Sequence, residues 1–190
     1  MDNSSKILKC LTGGVFRPIS EIASLTRIGS IKTKKIIGDM VHNGSVQRFR
    51  IDGYHYYNLT NSDNNESKYS NYLGDFFEIK GQLKLARVCH GHAAGKLGVF
   101  ICRALLSQGL VIEKNSQFIS EGFKLGGCSI DKLVSGKKCL DGTERLYHIG
   151  GKLGSNILNI LIKLKWAKRS SGRCLNVSKE GLMEIKKLYH

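Results

Sequence analysis

Apolar positions at helical spacing, broken by short stretches of period two, predict a chain that is mainly α with short β-hairpins, an α+β fold in two parts. Three observations carry this. Between Pro18 and Thr60, a helix, a sharp turn and a second helix precede two short strands around Asp52-Gly53. From Cys89 onward the chain repeats itself about a core of His-x-x-Gly-Lys-Leu-Gly. Between them, Thr60 to Ser67 is polar and without periodicity, which reads as a linker. The expected division is an N-terminal winged helix-turn-helix domain over 1–62 and a C-terminal domain over 63–190. The latter holds two winged-helix-like repeats, about 87–126 and 137–190.

Lys6 to Leu11 reads as a first helix, ended by Gly13-Gly14. Ser20 is expected to cap the next, with Glu21 early in it and Ile22, Ala23 and Leu25 facing inward. Arg27-Ile28-Gly29-Ser30 breaks the helix and offers Ser30 as a cap. The following helix, Ile31 to Asn43, sets Ile36, Ile37, Met40 and Val41 on one side, with Gly38 within it. Val46–Ile51 and Tyr54–Leu59 flank an Asp-Gly pair, the strongest short-range hairpin signal. Residues 69–85 carry apolar positions at helical spacing and read as one helix or two. Each repeat then reads as helix, hairpin and helix start, closed by an amphipathic helix from Ser178 to Tyr189. Gly95, Gly98, Gly151 and Gly154, at spacing three, are expected to let the two repeat helices approach closely.

The 190 residues carry thirty basic against fifteen acidic side chains, a formal charge of +15. That imbalance favours a polyanionic partner, nucleic acid before anionic membrane. No run of eighteen apolar residues exists, and MDNSSKILKC has no signal-peptide core, so a cytoplasmic protein without a membrane partner is expected. Six dispersed cysteines read as thiols rather than a disulfide scaffold. No Walker loop, nucleotide-binding GxGxxG or GxSxG is present, and an enzyme is not expected.

Two constellations carry chemistry. A second helix opening with Lys32, Lys34 and Lys35 suits the major groove of double-stranded DNA, with Ser30 and Thr33 donating hydroxyl hydrogen bonds and Arg27 beside them. Arg48, Arg50, Tyr54 and His55 on the hairpin are placed to grip the flanking backbone. The second constellation is Cys89, His92, Cys139, Asp141 and His148, a thiol and an imidazole supplied twice by the repeat. It offers a Cys2His2 set for zinc or another transition metal. Redox-active thiols, or histidines bonding helix starts beside packed cysteines, are the other readings the spacing leaves open. Thr143-Glu144-Arg145 reads as a local salt bridge that orients His148.

Residues 7–60, through SEIASLTRIGSIKTKKIIGDMVHNGSV and FRIDGYHYYNLT, resemble the arsenical-resistance (ArsR) family of winged-helix transcription regulators. Arg87 to Gly98 and Cys139 to Gly154 are similar to paired motifs in a longer-chain subgroup of that family. The resemblance implies a sequence-specific regulator, a homodimeric repressor on an inverted-repeat operator, responsive to a metal, redox or small-molecule signal. Many relatives carry metal-binding cysteines on the winged-helix core. This chain has only Cys10 there and no Cys-x-Cys, so that site does not carry over. A non-sequence-specific nucleic-acid binder and a Cys/His metal-binding protein or enzyme are the alternatives.

Overall fold

The structure, a computed structural model, describes residues 2–12, 15–51, 54–60, 73 and 78–189. It divides into two compact units, Met1–Asn65 and Glu66–His190. The expected Gly13-Gly14 stop, the Asp52-Gly53 turn and the linker after Thr60 lie outside the described residues.

In the first unit α1 (Asn3–Leu11), α2 (Ile19–Thr26) and α3 (Ser30–His42) precede an antiparallel hairpin of β1 (Val46–Ile51) and β2 (Tyr54–Leu59). Asp2 caps α1 by accepting the Ser5 N–H at 2.6 Å. The caps expected of Ser20 and Ser30 do not form. Pro18 and Gly29 hold the cap positions without side-chain bonds, and both serines lie within their helices. Arg27, at φ +57, closes α2: its N–H bonds the Ser24 carbonyl while Ile28 N–H bonds that of Ala23. This is the paired closure usually made by glycine, with the next apolar residue, Ile28, turned inward. Leu25, expected inside, is 57% exposed. Thr26 takes its place, its hydroxyl donating to the Ile22 carbonyl at 2.7 Å. Ile7, Leu11, Ile22, Ile37, Met40, Val46 and Tyr57 form the core. Arg17 bridges Tyr57 at the hairpin's outer edge, and Phe16 meets Phe49 edge to face at 4.7 Å.

The second unit contains the repeat. Its first copy is a hairpin of β3 (Arg87–Cys89) and β4 (His92–Ala94), then α4 (Gly95–Ser107) and a hairpin of β5 (Val111–Lys114) and β6 (Gln117–Ser120). A further hairpin, β7 (Phe123–Leu125) and β8 (Cys128–Ile130), leads to the second copy. That copy is β9 (Ser135–Leu140), β10 (Tyr147–Gly150), α5 (Gly151–Lys163), β11 (Ala167–Arg169), β12 (Leu175–Val177) and α6 (Lys179–Lys186). Helix starts were expected at corresponding places in both copies, but only the second has one. There Ser178 accepts the Gly181 N–H and caps α6. In the first, Ser120 accepts from Gly122, and Gly126-Gly127, both left-handed, fold the chain into β7–β8.

The copies exchange edges. β6 pairs antiparallel with β9, giving a four-stranded sheet in the order β10-β9-β6-β5. On the other side Arg87 bridges Cys174, with Val88 N–H bonding the Arg173 carbonyl and Leu175 N–H that of Ala86. Each copy thus lays its outer hairpin beside the other's Cys/His hairpin. The helix expected over 69–85 is absent from its described part: Ile79 bridges Val177, and residues 83–85 turn before β3. Ile79, Leu97, Phe100, Leu153, Leu158 and Leu182 lie in one apolar core with Trp166.

Candidate nucleic-acid interface and Cys/His centre

In the first unit α3 is anchored by Thr33, Ile37 and Met40, which lie four and three residues apart on its buried stripe. Thr33 therefore leaves the predicted contact set. It is fully buried and its hydroxyl donates to the Ile28 carbonyl at 3.2 Å, which ties the helix to the preceding turn. The remaining first turns, Ser30, Lys32, Lys34 and Lys35, are exposed, as is Arg27. Ile31, 89% exposed among them, was not in the predicted set. The clue was available: one apolar side chain breaking a polar helix start without joining the buried stripe.

The hairpin register sorts the other predicted contacts. Arg50 opposes His55 and Arg48 opposes Tyr57, so Arg48, Arg50 and His55 share a face. Deep on that face Val46 and Tyr57 enter the helical core, and toward the turn the three basic side chains emerge into solvent. Tyr54, 70% exposed, belongs to the opposite face with Phe49 and Tyr56 and does not join them.

In the second unit the repeat places thiol and imidazole identically. Cys89 is the cross-strand partner of His92, and Cys139 that of His148. One donor atom from each of the four lies within 4.8 Å of every other. The sulfurs are 3.9 Å apart and the two Nε2 atoms 3.0 Å apart. Both histidines are buried and both cysteines half-buried. Burial, with the His90 charge nearby, lowers the His92 pKa; burial first, then His92 and Arg87 against the opposing Asp141, brings His148 down to about 4. Burial, then the charge and hydrogen bond of Cys89 and the charge of Asp141, push the Cys139 thiol up to about 12.

Of the four glycines expected to let the repeat helices approach, Gly98 and Gly154 line one small cavity with Ile101 and Ile157 of the same two helices, and their nearest neighbours are strand groups. A methyl on Gly98 or Gly154 would collide with the carbonyl of Ala93 or Ile149 in the helix's own leading strand. It would also stand 3.5 Å from His148 Cβ or 2.9 Å from His92 Cβ, in the other copy. Gly95 and Gly151, at φ +73 and +65, turn the corner from strand to helix. The glycines seat each helix under its hairpin and the partner copy's imidazole.

Asp141 leaves the predicted ligand set. Fully buried, its Oδ1 accepts from Arg87 Nη2 at 2.7 Å and from the Thr143 and Glu144 N–H groups, while Oδ2 accepts the Gly95 N–H at 2.7 Å. Burial alone would raise this carboxyl; the N–H groups of Glu144, Gly95 and Thr143, with the Arg87 charge, outweigh it and hold it at about 2. Oδ2 also stands 3.5 Å from His148 Nδ1. Asp141 therefore stands beside His148, and Thr143, expected to help orient that ring, is bound to Asp141 itself. Arg87 belongs to the repeat motif, and its burial is the signal sequence reasoning missed: a buried arginine requires a partner, and Asp141 supplies it. Cys102 is buried, its thiol pushed up to about 12 by burial, and Cys174 donates to the Gly81 carbonyl.

The chain is similar to the uncharacterised HTH-type transcriptional regulator YdfF of Bacillus subtilis (strain 168), 25% identical over an alignment 208 positions long, gaps included, that covers 96% of this chain and 90% of that protein. No protein family and no solved structure matches it. No described helix is long and apolar enough to cross a membrane.

Proposed function

We propose that this chain is a sequence-specific DNA-binding transcription regulator whose first unit is a winged helix. In this reading α3 enters the major groove and the β1–β2 hairpin holds the adjacent backbone. The carrying observation is the division of α3: Thr33, Ile37 and Met40 fasten it to the core while Ser30, Ile31, Lys32, Lys34 and Lys35 stand exposed at its start. Lysines there meet phosphates or guanine edges, and Ile31 suits a thymine methyl group. Similarity to YdfF, which bears the name of a helix-turn-helix regulator, supports the same reading along nearly the whole chain.

The finer proposal is a homodimeric repressor like those of the ArsR family, its second unit receiving a metal, redox or small-molecule signal. Two α3 helices would then read an inverted repeat with half-sites about 34 Å apart, one turn of DNA. Selecting bound fragments from genomic DNA and competing them with random sequence at rising salt tests this. The regulator keeps its preference as salt rises. Lys32→Ala with Lys35→Ala should lower the salt slope by about two and weaken binding to all sequences, whereas Ile31→Ser should mainly relax base preference. A lysine of the second unit, Lys124→Ala, should leave that preference unchanged.

One observation favours a second reading, a binder driven by charge alone. The Met1–Asn65 unit holds only nine of the thirty basic residues and five of the fifteen acidic ones, so most of the positive excess lies in the other unit. Loss of all sequence preference at moderate salt would establish that reading and remove the first.

A further inference from the structure

We propose that Cys89, His92, Cys139 and His148 together hold one zinc ion, a closed tetrahedral site that clamps the two copies of the repeat to each other. The donor set is two sulfurs and two imidazole nitrogens, suited to a borderline-soft divalent ion in a four-coordinate structural site. The spacing fits as well. With bonds of about 2.3 Å to sulfur and about 2.05 Å to nitrogen, a tetrahedron separates its sulfurs by about 3.8 Å and its nitrogens by about 3.3 Å. The observed separations are 3.9 and 3.0 Å.

Competing uses of the same atoms fit less well. A disulfide needs its sulfurs at about 2.05 Å, roughly half their present distance. Two Nε2 atoms aimed at each other can share one hydrogen at most, whereas an ion among all four donors satisfies both Nε2 atoms and both sulfurs. The surroundings match a ligated imidazole too: the Asp141 carboxylate approaches the far nitrogen of His148, held there by Arg87 and the Gly95 N–H. All four ligands come from the chain, and both imidazoles are buried, so no position is left for a substrate. The ion is therefore structural. Its ligands are two from each copy, and binding joins hairpins some fifty residues apart in sequence.

The test uses the full chain, purified reduced, with metal content measured by mass spectrometry. One zinc ion per chain is expected, kept by Cys128→Ser, whose half-buried thiol lies outside the cluster, and lost by Cys139→Ser and His148→Ala. Exchange with Co2+ should give the visible bands of a tetrahedral ion and thiolate-to-cobalt charge transfer. A chelator should lower the thermal midpoint of the wild type and leave that of Cys139→Ser unmoved. If the variants do not fold, the cobalt spectrum of the wild type and the protection of Cys89 and Cys139 from alkylation decide. A folded, reduced wild type without metal and with an octahedral cobalt spectrum overturns the proposal. So does a Cys89–Cys139 disulfide, or one equivalent of a metal other than zinc. None of these results bears on DNA binding, which the first unit's variants test separately.

Discussion

The two copies of the repeat present the same pair of side chains by different means. In the first, Cys89 and His92 are joined by a two-residue turn, His90 at φ +47 and Gly91 at φ +88, and nothing else intervenes. In the second, six residues, Asp141 to Leu146, sit between the paired strands. That insertion reaches into the first copy: Asp141 grips Arg87 of β3 and the Gly95 N–H at the start of α4, where a carboxylate also suits the helix dipole. The position matching Arg87 in the second copy is Lys137, which is exposed. Duplication thus conserved the metal-type donors, while an unshared loop supplies the buried ion pair that locks the copies in place.

The largest effect should come from breaking that lock. Asp141→Ala leaves the Arg87 charge buried without its partner and should cost about 3–5 kcal/mol, whereas Lys137→Ala should change stability by no more than about 0.5 kcal/mol. Trp166, the single tryptophan and buried in this unit, makes its fluorescence a local reporter of denaturant unfolding. Equal costs for the two variants would erase the asymmetry.

A smaller effect tests what the copies share. Gly98→Ala and Gly154→Ala each drive a methyl into a strand carbonyl and toward the opposite imidazole, and each should cost about 1–3 kcal/mol by the same measurement. Gly154 has the closer histidine and should be the worse of the two. The smallest effect has the opposite sign. Gly38, inside α3 of the first unit, faces open space, so Gly38→Ala should stabilise that unit by up to about 1 kcal/mol, read as a higher thermal midpoint by circular dichroism. A loss of stability there would mean the glycine serves a contact on α3 that the isolated chain does not make.

Much of the local layout was legible from periodicity. The apolar rhythm around Ile37 and Met40 marks α3, and period two marks β1 and β2, because both signals come from neighbours within a few residues. Legibility failed where a side chain's role depends on distant groups. Leu25 and Thr26 exchange places because the exact azimuth of α2 decides burial, and a threonine can bond back to its own helix. Ser120 and Ser178 head similar stretches, yet only the second caps a helix: Gly126-Gly127 offers the first copy a tighter hairpin instead.

Sequence alone determined that a thiol and an imidazole would occur twice in matching settings, since the motif is written twice, and that lysines would open the helix after Arg27. Only the tertiary structure decided that all four donors converge, that Asp141 serves Arg87 rather than a metal, and that Thr33 turns inward. The physical reason is range. Strand pairing across copies, β6 with β9 and Arg87 beside Cys174, sets which hairpins face each other, and no local pattern encodes a partner in the other copy.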